Sequence, residues 1–490
     1  MKKIDISIII PAYNEAGRLP LFLGRVISYC DKSQRRYEIV VVDDGSKDNT
    51  FKIAASFKKS FDNLVLFKIR RNSGKGYAVK KGLLRSRGDI CVFMDADGST
   101  APDEIEKNLR YISEGGYDIF VGSRVLKEKN QTLSVKWHRK LLGQLFNFCV
   151  QAFLFKNIKD TQCGFKMFKR ETVKPLFSRS YLRRFGFDIE ILYLAHKMGY
   201  RVLEGPVSWQ HVNGSKVNLL IDPVRMFFNI LQIRNWHCTP INTEHKYMGP
   251  DEYRYMFEME NYHWWFISHQ NLAAYLVRSL KKSRPAILDI GSGTGSVLLT
   301  LNRLGKASGI DISERAISFC KKRGILDVAQ CPAENIRYPS KSFDIVTCLD
   351  ILEHTADTAE VLSEVKRLLR DNGKVILTVP AFAFLWSQHD EALCHLRRYD
   401  KKTLSLELRE AGLRIERMGY FFFISFFIVA PIRMLRRLLA PLKKPHCDTT
   451  TLPPKVLNQL LKLWFNLEVK SLDFIKFPCG TTLYAVASKQ

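Results

Sequence analysis

The sequence has no hydrophobic run long enough to cross a bilayer. Its longest uncharged apolar stretch, residues 419–432, is 14 residues long, where a spanning helix needs about 20. No transmembrane helix is therefore expected. There is no CxxC pair either, and the 11 cysteines are scattered and odd in number. That pattern argues against a disulfide framework or a zinc cluster and for reduced, buried thiols in the cytoplasm. Low-complexity tracts are missing, which excludes collagenous, coiled-coil and disordered classes. The opening MKKIDISIIIPAYNE has two lysines and a short apolar run, but Asp5 interrupts it and no small-residue cleavage site follows. It reads as a first strand, not a signal peptide. Acidic residues are in deficit: 49 Asp and Glu stand against 76 Lys and Arg, a net charge of +27. Residues 1–235 hold 41 basic and 23 acidic residues, so most of the excess lies in the first half. Such an excess suits nucleic acid, an anionic membrane or phosphorylated substrates, and composition does not choose among them.

What is present is two starts of an α/β unit in 490 residues, a length beyond one ordinary core. Residues 6–10 (ISIII) lead into PAYNE, and residues 286–290 (AILDI) lead into a glycine-rich turn; each should open its own parallel sheet. After the first come strand patterns at 38–42, 64–69, 89–94 and 118–121, alternating with helical patterns such as 52–59 and 103–114. The second continues through 306–310, 344–347 and 374–379. This alternation predicts open sheets covered by helices. Between them, 253–266 is rich in Tyr and Trp and fits cap helices of the second domain, with a linker near 238–250. No internal repeat is seen.

In the first half, acidic residues close three strands, at the carboxyl edge where open α/β sheets bind ligands. Strand one ends at Asn14 and the acidic Glu15, strand two at Asp43 and Asp44, and strand four at Asp95 and Asp97. An Asp-x-Asp closing a hydrophobic strand suits a hard divalent cation bridging a diphosphate; Asp43 and Asp44 could equally cap the following turn. The loop from Arg70 through Lys75 and Gly76 is basic and glycine-containing, and could approach phosphates.

Together, PAYNE at 11–15, VVDDGSKDNT at 41–50, NSGKG at 72–76, MDADG at 94–98, GSR at 122–124 and DTQCGFK at 160–166 resemble the family 2 glycosyltransferases of GT-A fold. Within that family they are most similar to dolichyl-phosphate β-glucosyltransferases, then to dolichyl-phosphate mannose synthases. The likeness runs from about Ile4 to Ile233 and includes FDIEILYLA at 187–195 and VNGSKV at 212–217. It implies inverting transfer of a hexose, from UDP-glucose or else GDP-mannose, to a polyprenyl (dolichyl or undecaprenyl) phosphate. By this likeness Asp95 and Asp97 hold Mg or Mn. Pro11, Tyr13, Glu15, Asp43 and Lys75 belong to the nucleotide-sugar site, and Arg124, Lys166 and Lys216 are cations for the acceptor phosphate or diphosphate. Asp160, with Asp97 and Arg124, is the catalytic candidate. A phosphate monoester has a second pKa near 6, so Asp160 would orient the acceptor more than deprotonate it, unless it braces its loop through Thr161. Asp188 and Glu190, two apart on a helix, cannot both face the cleft. The apolar run 145–155 fits either core packing or a lipid-facing surface.

In the second half, Asp289 and the glycines at 291, 293 and 295, followed by Asp311, Glu334 and FDIVTCLDILEH at 343–354, resemble class I S-adenosylmethionine-dependent methyltransferases over about 253–489. The fold implied is Rossmann-like, closed by an antiparallel strand within CGTTLYAVAS at 479–488. By the resemblance Gly291, Gly293 and Gly295 admit the methionine part of the cofactor, Asp311 binds ribose, Glu334 lies near adenine and Asp350 faces donor or acceptor. The segment after Pro380, with Trp386, His389, Asp390, His395, Arg397, Arg398 and Tyr399, is where an acceptor pocket would lie, and a His there could act as base. The aromatic run from Tyr420, followed by Arg433, Arg436, Arg437, Lys443 and Lys444, begins with a sixth strand over 418–423. It continues as an interfacial element meeting anionic head groups, or else as a buried helix pair.

The expected architecture is two α/β domains. A glycosyltransferase domain spans 1–237, a linker with cap helices 238–285, and a methyltransferase domain 286–490, with a membrane-interfacial insertion at about 424–477. The expected protein is a bifunctional enzyme, peripheral on the cytoplasmic face of the cell membrane. Its expected partners are a nucleotide sugar, a polyprenyl phosphate, S-adenosylmethionine, a divalent cation and an anionic membrane surface, with no nucleic acid. Its methyl acceptor would be a lipid-linked sugar or a related small molecule. A polysaccharide or protein acceptor for the sugar, and an RNA-binding methyltransferase, stand as alternatives.

Overall fold

The computed structural model describes residues 3–126, 150–155, 158–210, 221–237, 250–439 and 452–489. The chain divides into two compact units, Met1–Ile241 and Asn242–Gln490. Residues 238–249, where the linker is expected, lie outside the described residues, as do Lys216 and residues 145–149 of the 145–155 run; of the rest, Val150 and Phe155 are buried and Phe153 is exposed.

The first unit is a seven-stranded sheet. Its strands are β1 (Ile6–Ala12), β2 (Tyr37–Asp43), β3 (Leu64–Lys68), β4 (Ile90–Met94), β5 (Ile119–Ser123), β6 (Phe165–Lys169) and β7 (Val202–Pro206), in the order β3-β2-β1-β4-β6-β5-β7. Period-2 alternation sorts the side chains into two cores. Ile9, Val40 and Phe93 face helices Lys75–Arg85, Arg170–Arg179 and Phe187–Lys197, while Ile8, Ile10 and Val92 face helices Leu19–Lys32 and Glu104–Ser113. A parallel sheet is expected from the sequence, but β6 runs antiparallel to both β4 and β5. That reversal has a consequence for the site. Phe165, the first residue of β6, pairs with Met94, the last of β4, so the DTQCG segment arrives beside Asp95.

The second unit has β8 (Ala286–Ile290), β9 (Lys306–Asp311), β10 (Val328–Gln330), β11 (Phe343–Leu349), β12 (Leu369–Pro380), β13 (Leu413–Phe421) and β14 (Thr482–Lys489), ordered β10-β9-β8-β11-β12-β14-β13. The closing strand β14 is antiparallel to β12 and β13. β13 starts five residues before the expected 418, because Leu413 and Ile415 already pair with β14. Two cores flank the sheet. Val361, Leu362, Val365, Leu404 and Leu408 cover one face, and Leu272, Leu276, Leu298, Phe465 and Val469 the other. The segment between β13 and β14 forms two helices, Phe423–Leu439 and Lys455–Ser471. Among the described residues no helix is long and apolar enough to cross a membrane.

Candidate active sites

In the first unit, charged side chains gather where β4, β5 and β6 meet. Asp95 follows β4 and accepts from Lys75 Nζ at 2.7 Å; Lys75 opens the first turn of helix Lys75–Arg85. Burial raises the Asp95 carboxyl above its ordinary range. Burial alone would lower Lys75, but Asp95 and Asp188 outweigh it and hold the ammonium charged. A Cβ on Gly164 would lie 2.1 Å from Asp95 Oδ2, so the glycine of DTQCGFK makes room for that carboxylate. Asp97 uses Oδ1 to accept from Ser99 N at 2.9 Å and Ser99 Oγ at 2.6 Å.

Arg124 and Asp160 form a two-pronged pair, Nε to Oδ2 and Nη2 to Oδ1 both at 2.8 Å, and the Arg124 backbone N–H adds a third bond at 2.9 Å. Burial would raise Asp160, but the guanidinium outweighs it and holds the carboxyl below its ordinary range. Glu204 fixes the same loop by accepting from the N–H groups of Lys159 and Asp160 at 2.8 Å. Arg124 thus engages both oxygens of Asp160. Lys166 departs from expectation. It sits on β6, not on a loop, and is buried against Asp188 at 2.5 Å and the Cys163 carbonyl at 2.7 Å. It is therefore not an exposed cation awaiting a phosphate. Glu190 likewise turns away to accept from Tyr181 N, Leu182 N and His237 Nε2.

Nearer β1 and β2, Asp43 is almost fully buried. Its Oδ1 accepts from Ser46 N at 3.1 Å, while Oδ2 is buried without a hydrogen-bond partner at the end of β2. Asp44 instead braces the basic loop, accepting from Ser73 N and Gly74 N at 2.8 Å and Asn72 Nδ2 at 2.9 Å. Glu15 is clasped by Arg18 through two bonds of 2.7 and 2.6 Å. Pro11 lies in β1 one residue before its end at Ala12, Tyr13 follows the strand half-buried, and Asn14 turns the chain at φ 52°.

The second unit encloses a cavity of about 600 Å³ lined at one end by Asp289, Gly291, Gly293, Asp311 and Glu334, and further along by Asp350, His389, His395 and Arg398. Gly293 borders it openly, with only Met256 Sδ near a would-be Cβ at 3.4 Å. Gly295 is not among the residues lining the cavity; at φ 92° it packs closely on Cys320 and Ile325. Asp311 accepts from Gly293 N at 2.9 Å and Ser313 N at 2.8 Å, which fixes both oxygens at the cavity wall and leaves lone pairs for ribose hydroxyls. Burial pushes Asp289 up to about 7, although Thr347 Oγ1 donates to it at 2.6 Å.

Asp390 is the hub of the other end. It accepts from Arg398 Nε at 2.7 Å and His395 Nδ1 sits 2.9 Å away. Burial would raise this carboxyl, but Arg398, His395 and Arg433 together keep it well below its ordinary range. Two expectations are corrected here. Tyr399 is fully buried and its hydroxyl donates to the Leu352 carbonyl, so it packs beneath the cavity instead of meeting an acceptor. Arg433, expected to face head groups, points inward to the Leu385 carbonyl at 2.8 Å and towards Asp390 at 3.7 Å. The side chains of Arg436, Arg437, Lys443 and Lys444 lie outside the described residues. Sequence reasoning gave the cap helices no site role, yet Tyr253, Glu260, Trp265 and His269 line the cavity. The aromatic density of 253–266 was the signal. Glu353 and His354, within the quoted LEH, were also passed over.

A GT-A-like sheet carrying an acid pair beside paired cations, followed by a Rossmann-like sheet with a glycine-lined cavity, defines a glycosyltransferase domain joined to a methyltransferase domain. Residues 7–177 match the Glycosyl transferase family 2 profile and residues 288–377 the Methyltransferase domain profile. The chain is 39% identical over 242 residues to a dolichyl-phosphate beta-glucosyltransferase of Dictyostelium discoideum, covering 47% of this chain and 74% of that one. It is 36% identical to the Homo sapiens protein of that name over 48% of this chain and 76% of that one. Through its first half, the chain belongs to the family 2 glycosyltransferases. A solved S-adenosylmethionine-dependent methyltransferase from Thermotoga maritima aligns at 18% identity and TM-score 0.32, covering 49% of this chain and 96% of that one. The methyltransferase domain implies S-adenosylmethionine as its donor.

Proposed function

We propose that the first unit transfers glucose from UDP-glucose to a polyprenyl phosphate, with inversion, and that the second methylates a lipid-linked sugar. The observation that carries the first part is the 39% and 36% identity to dolichyl-phosphate beta-glucosyltransferases over about three quarters of their length, joined to the acid pair at the end of β4. Asp97 has one oxygen engaged by Ser99, and Asp95 shares its charge with Lys75. This oxygen-rich pair fits Mg or Mn, which would neutralise charge building on the departing diphosphate. Asp43 accepts from the uridine through its unpartnered Oδ2. Arg124, aimed by Asp160, binds the acceptor phosphate or the diphosphate. The acceptor is already mostly dianionic at neutral pH, so positioning it in line with the anomeric carbon replaces general-base chemistry.

The lipid character of the methyl acceptor is supported by the second unit's surface. Phe427, Ile428, Ile432 and Leu435 are exposed on helix Phe423–Leu439, and Val456, Leu460, Leu463 and Trp464 on helix Lys455–Ser471. Ser425, Val429 and Arg433 of the first of these helices also line the cavity, so an acceptor could enter from an anionic membrane surface, here assigned to the cytoplasmic face. Mass spectrometry of lipids from cells with and without the protein tests this. A hexosylated polyprenyl phosphate and a methylated glycolipid should both disappear with the gene, and an unchanged lipid profile would overturn the proposal.

A further inference from the structure

We propose that Glu353, His354 and His395 bind one divalent transition-metal ion at the acceptor end of the methyltransferase cavity. Their ligand atoms all lie within 4.8 Å of one another, and all three residues line the cavity. Glu353 is fully buried and neither of its carboxylate oxygens has a hydrogen-bond partner. A buried carboxylate left so is costly unless it is paired or coordinated.

The histidine opposite it is already set up as a ligand. Asp390 sits 2.9 Å from His395 Nδ1 and is itself held by Arg398 at 2.7 and 3.1 Å. A carboxylate behind Nδ1 fixes the tautomer and turns Nε2 forward, and Nε2 lies 4.0 Å from Glu353 Oε1. The His354 ring stands 4.8 Å from that of His395 at 78°. The two segments are cross-braced by Leu396 N donating to the Glu353 carbonyl at 2.7 Å and by Arg397 Nη2 on the Thr355 and Ala356 carbonyls at 2.9 and 3.0 Å. The cluster is therefore held in place without an ion.

Two imidazoles and one carboxylate suit zinc, cobalt or iron(II) over magnesium or calcium, and three protein ligands leave coordination positions open to the cavity. What the ion does there rests on the methyltransferase assignment. An acceptor hydroxyl bound at an open position loses its proton to cavity water, and its oxygen lone pair forms the new C–O bond to the methyl group. The C–S bond breaks with its electron pair left on sulfur.

The test is Co²⁺ titration of the chelator-stripped, untagged full chain, carried out in an Asp97→Asn background so that the first unit's acid pair does not contribute. One equivalent should bind with visible bands of nitrogen and oxygen ligation. Glu353→Gln, His354→Gln and His395→Gln should each lose it, and Asp390→Asn should weaken it about 10- to 100-fold. S-adenosylmethionine affinity, measured by calorimetry, should stay within about twofold across these variants, which reports that the cavity is intact. No Co²⁺ bound in that background, or equal binding by the two histidine variants, would overturn the site. Co²⁺ binding without S-adenosylmethionine binding would overturn only the catalytic role.

Discussion

Replacing Asp43 with Asn should move stability and ligand affinity in opposite directions. Its Oδ2 is buried without a partner while Oδ1 accepts from Ser46 N, and an unsatisfied buried acceptor costs about 1–3 kcal/mol in the free protein. A uridine N–H or ribose hydroxyl reaching Oδ2 would remove that cost and make a charge-assisted bond of about 1.5–3 kcal/mol, which is roughly 10- to 150-fold in affinity. Asn keeps an oxygen for Ser46 and removes the buried charge, but it presents an NH₂ group where the ligand's donor must come. Calorimetry with UDP and Mg on the full chain should therefore show a Kd raised by roughly 10- to 150-fold. The unfolding midpoint should hold or rise by about 2–4 °C per kcal/mol regained. S-adenosylmethionine affinity serves as the internal control and should not change. Undiminished UDP binding, or a midpoint lowered by several degrees, would show that Asp43 only anchors the turn at Ser46.

Gly164→Ala would drive a Cβ into Asp95 Oδ2 and dislodge the carboxylate from Lys75. Sugar transfer should fall about 10²-fold, as for ångström-scale misplacement, and wild-type transfer would contradict the role given to that glycine. Asp289 is held up to about 7 by burial, so it is largely neutral at pH 6 and ionised at pH 8. A cationic ligand favours the ionised form, and S-adenosylmethionine affinity should rise across that interval, by less than about tenfold per pH unit; Asp289→Asn should flatten the profile. Without ligand the sign is opposite. A raised carboxyl pKa stabilises fully below the ordinary value near 3.9 and loses that contribution as pH rises through about 7. Finally, Ser at Phe427, Ile428, Leu460, Leu463 and Trp464, all roughly half-exposed, removes about 1 kcal/mol of interfacial burial each. Sedimentation with anionic vesicles should fall by roughly 10³-fold or more, and unchanged binding would exclude this face as the membrane contact.

Much of the fold could be read from hydrophobic runs bounded by turn residues. The strands opening at Ile6, Tyr37, Ala286 and Lys306, and the antiparallel closing strand, needed only local pattern. β6 did not announce itself, because in FKMFK two lysines three residues apart break the apolar run without a period-2 alternation, and its place between β4 and β5 depends on pairing with distant partners. The same limit applied to side-chain partners. Lys166 and Arg433 carry charge, and charge in a sequence suggests solvent or phosphate; only the packed structure supplies Asp188, 22 residues away, and Asp390, 43 residues away, to take them inward. Acid residues at strand ends were easier, since an open α/β sheet fixes which edge binds. Whether a given oxygen there is engaged, as on Asp160, or left open, as on Asp43, was a matter of neighbours that no spacing encodes.

The most direct measurement is transfer itself. Purified full-length chain, UDP-glucose carrying a labelled sugar, dolichyl phosphate in detergent and Mg should yield a labelled, acid-labile glycolipid. The same chain with Asp97→Asn should yield none while still binding S-adenosylmethionine. Absence of lipid product from folded, S-adenosylmethionine-binding protein with either UDP-glucose or GDP-mannose would contradict the account, as would equal transfer by the Asp97→Asn chain.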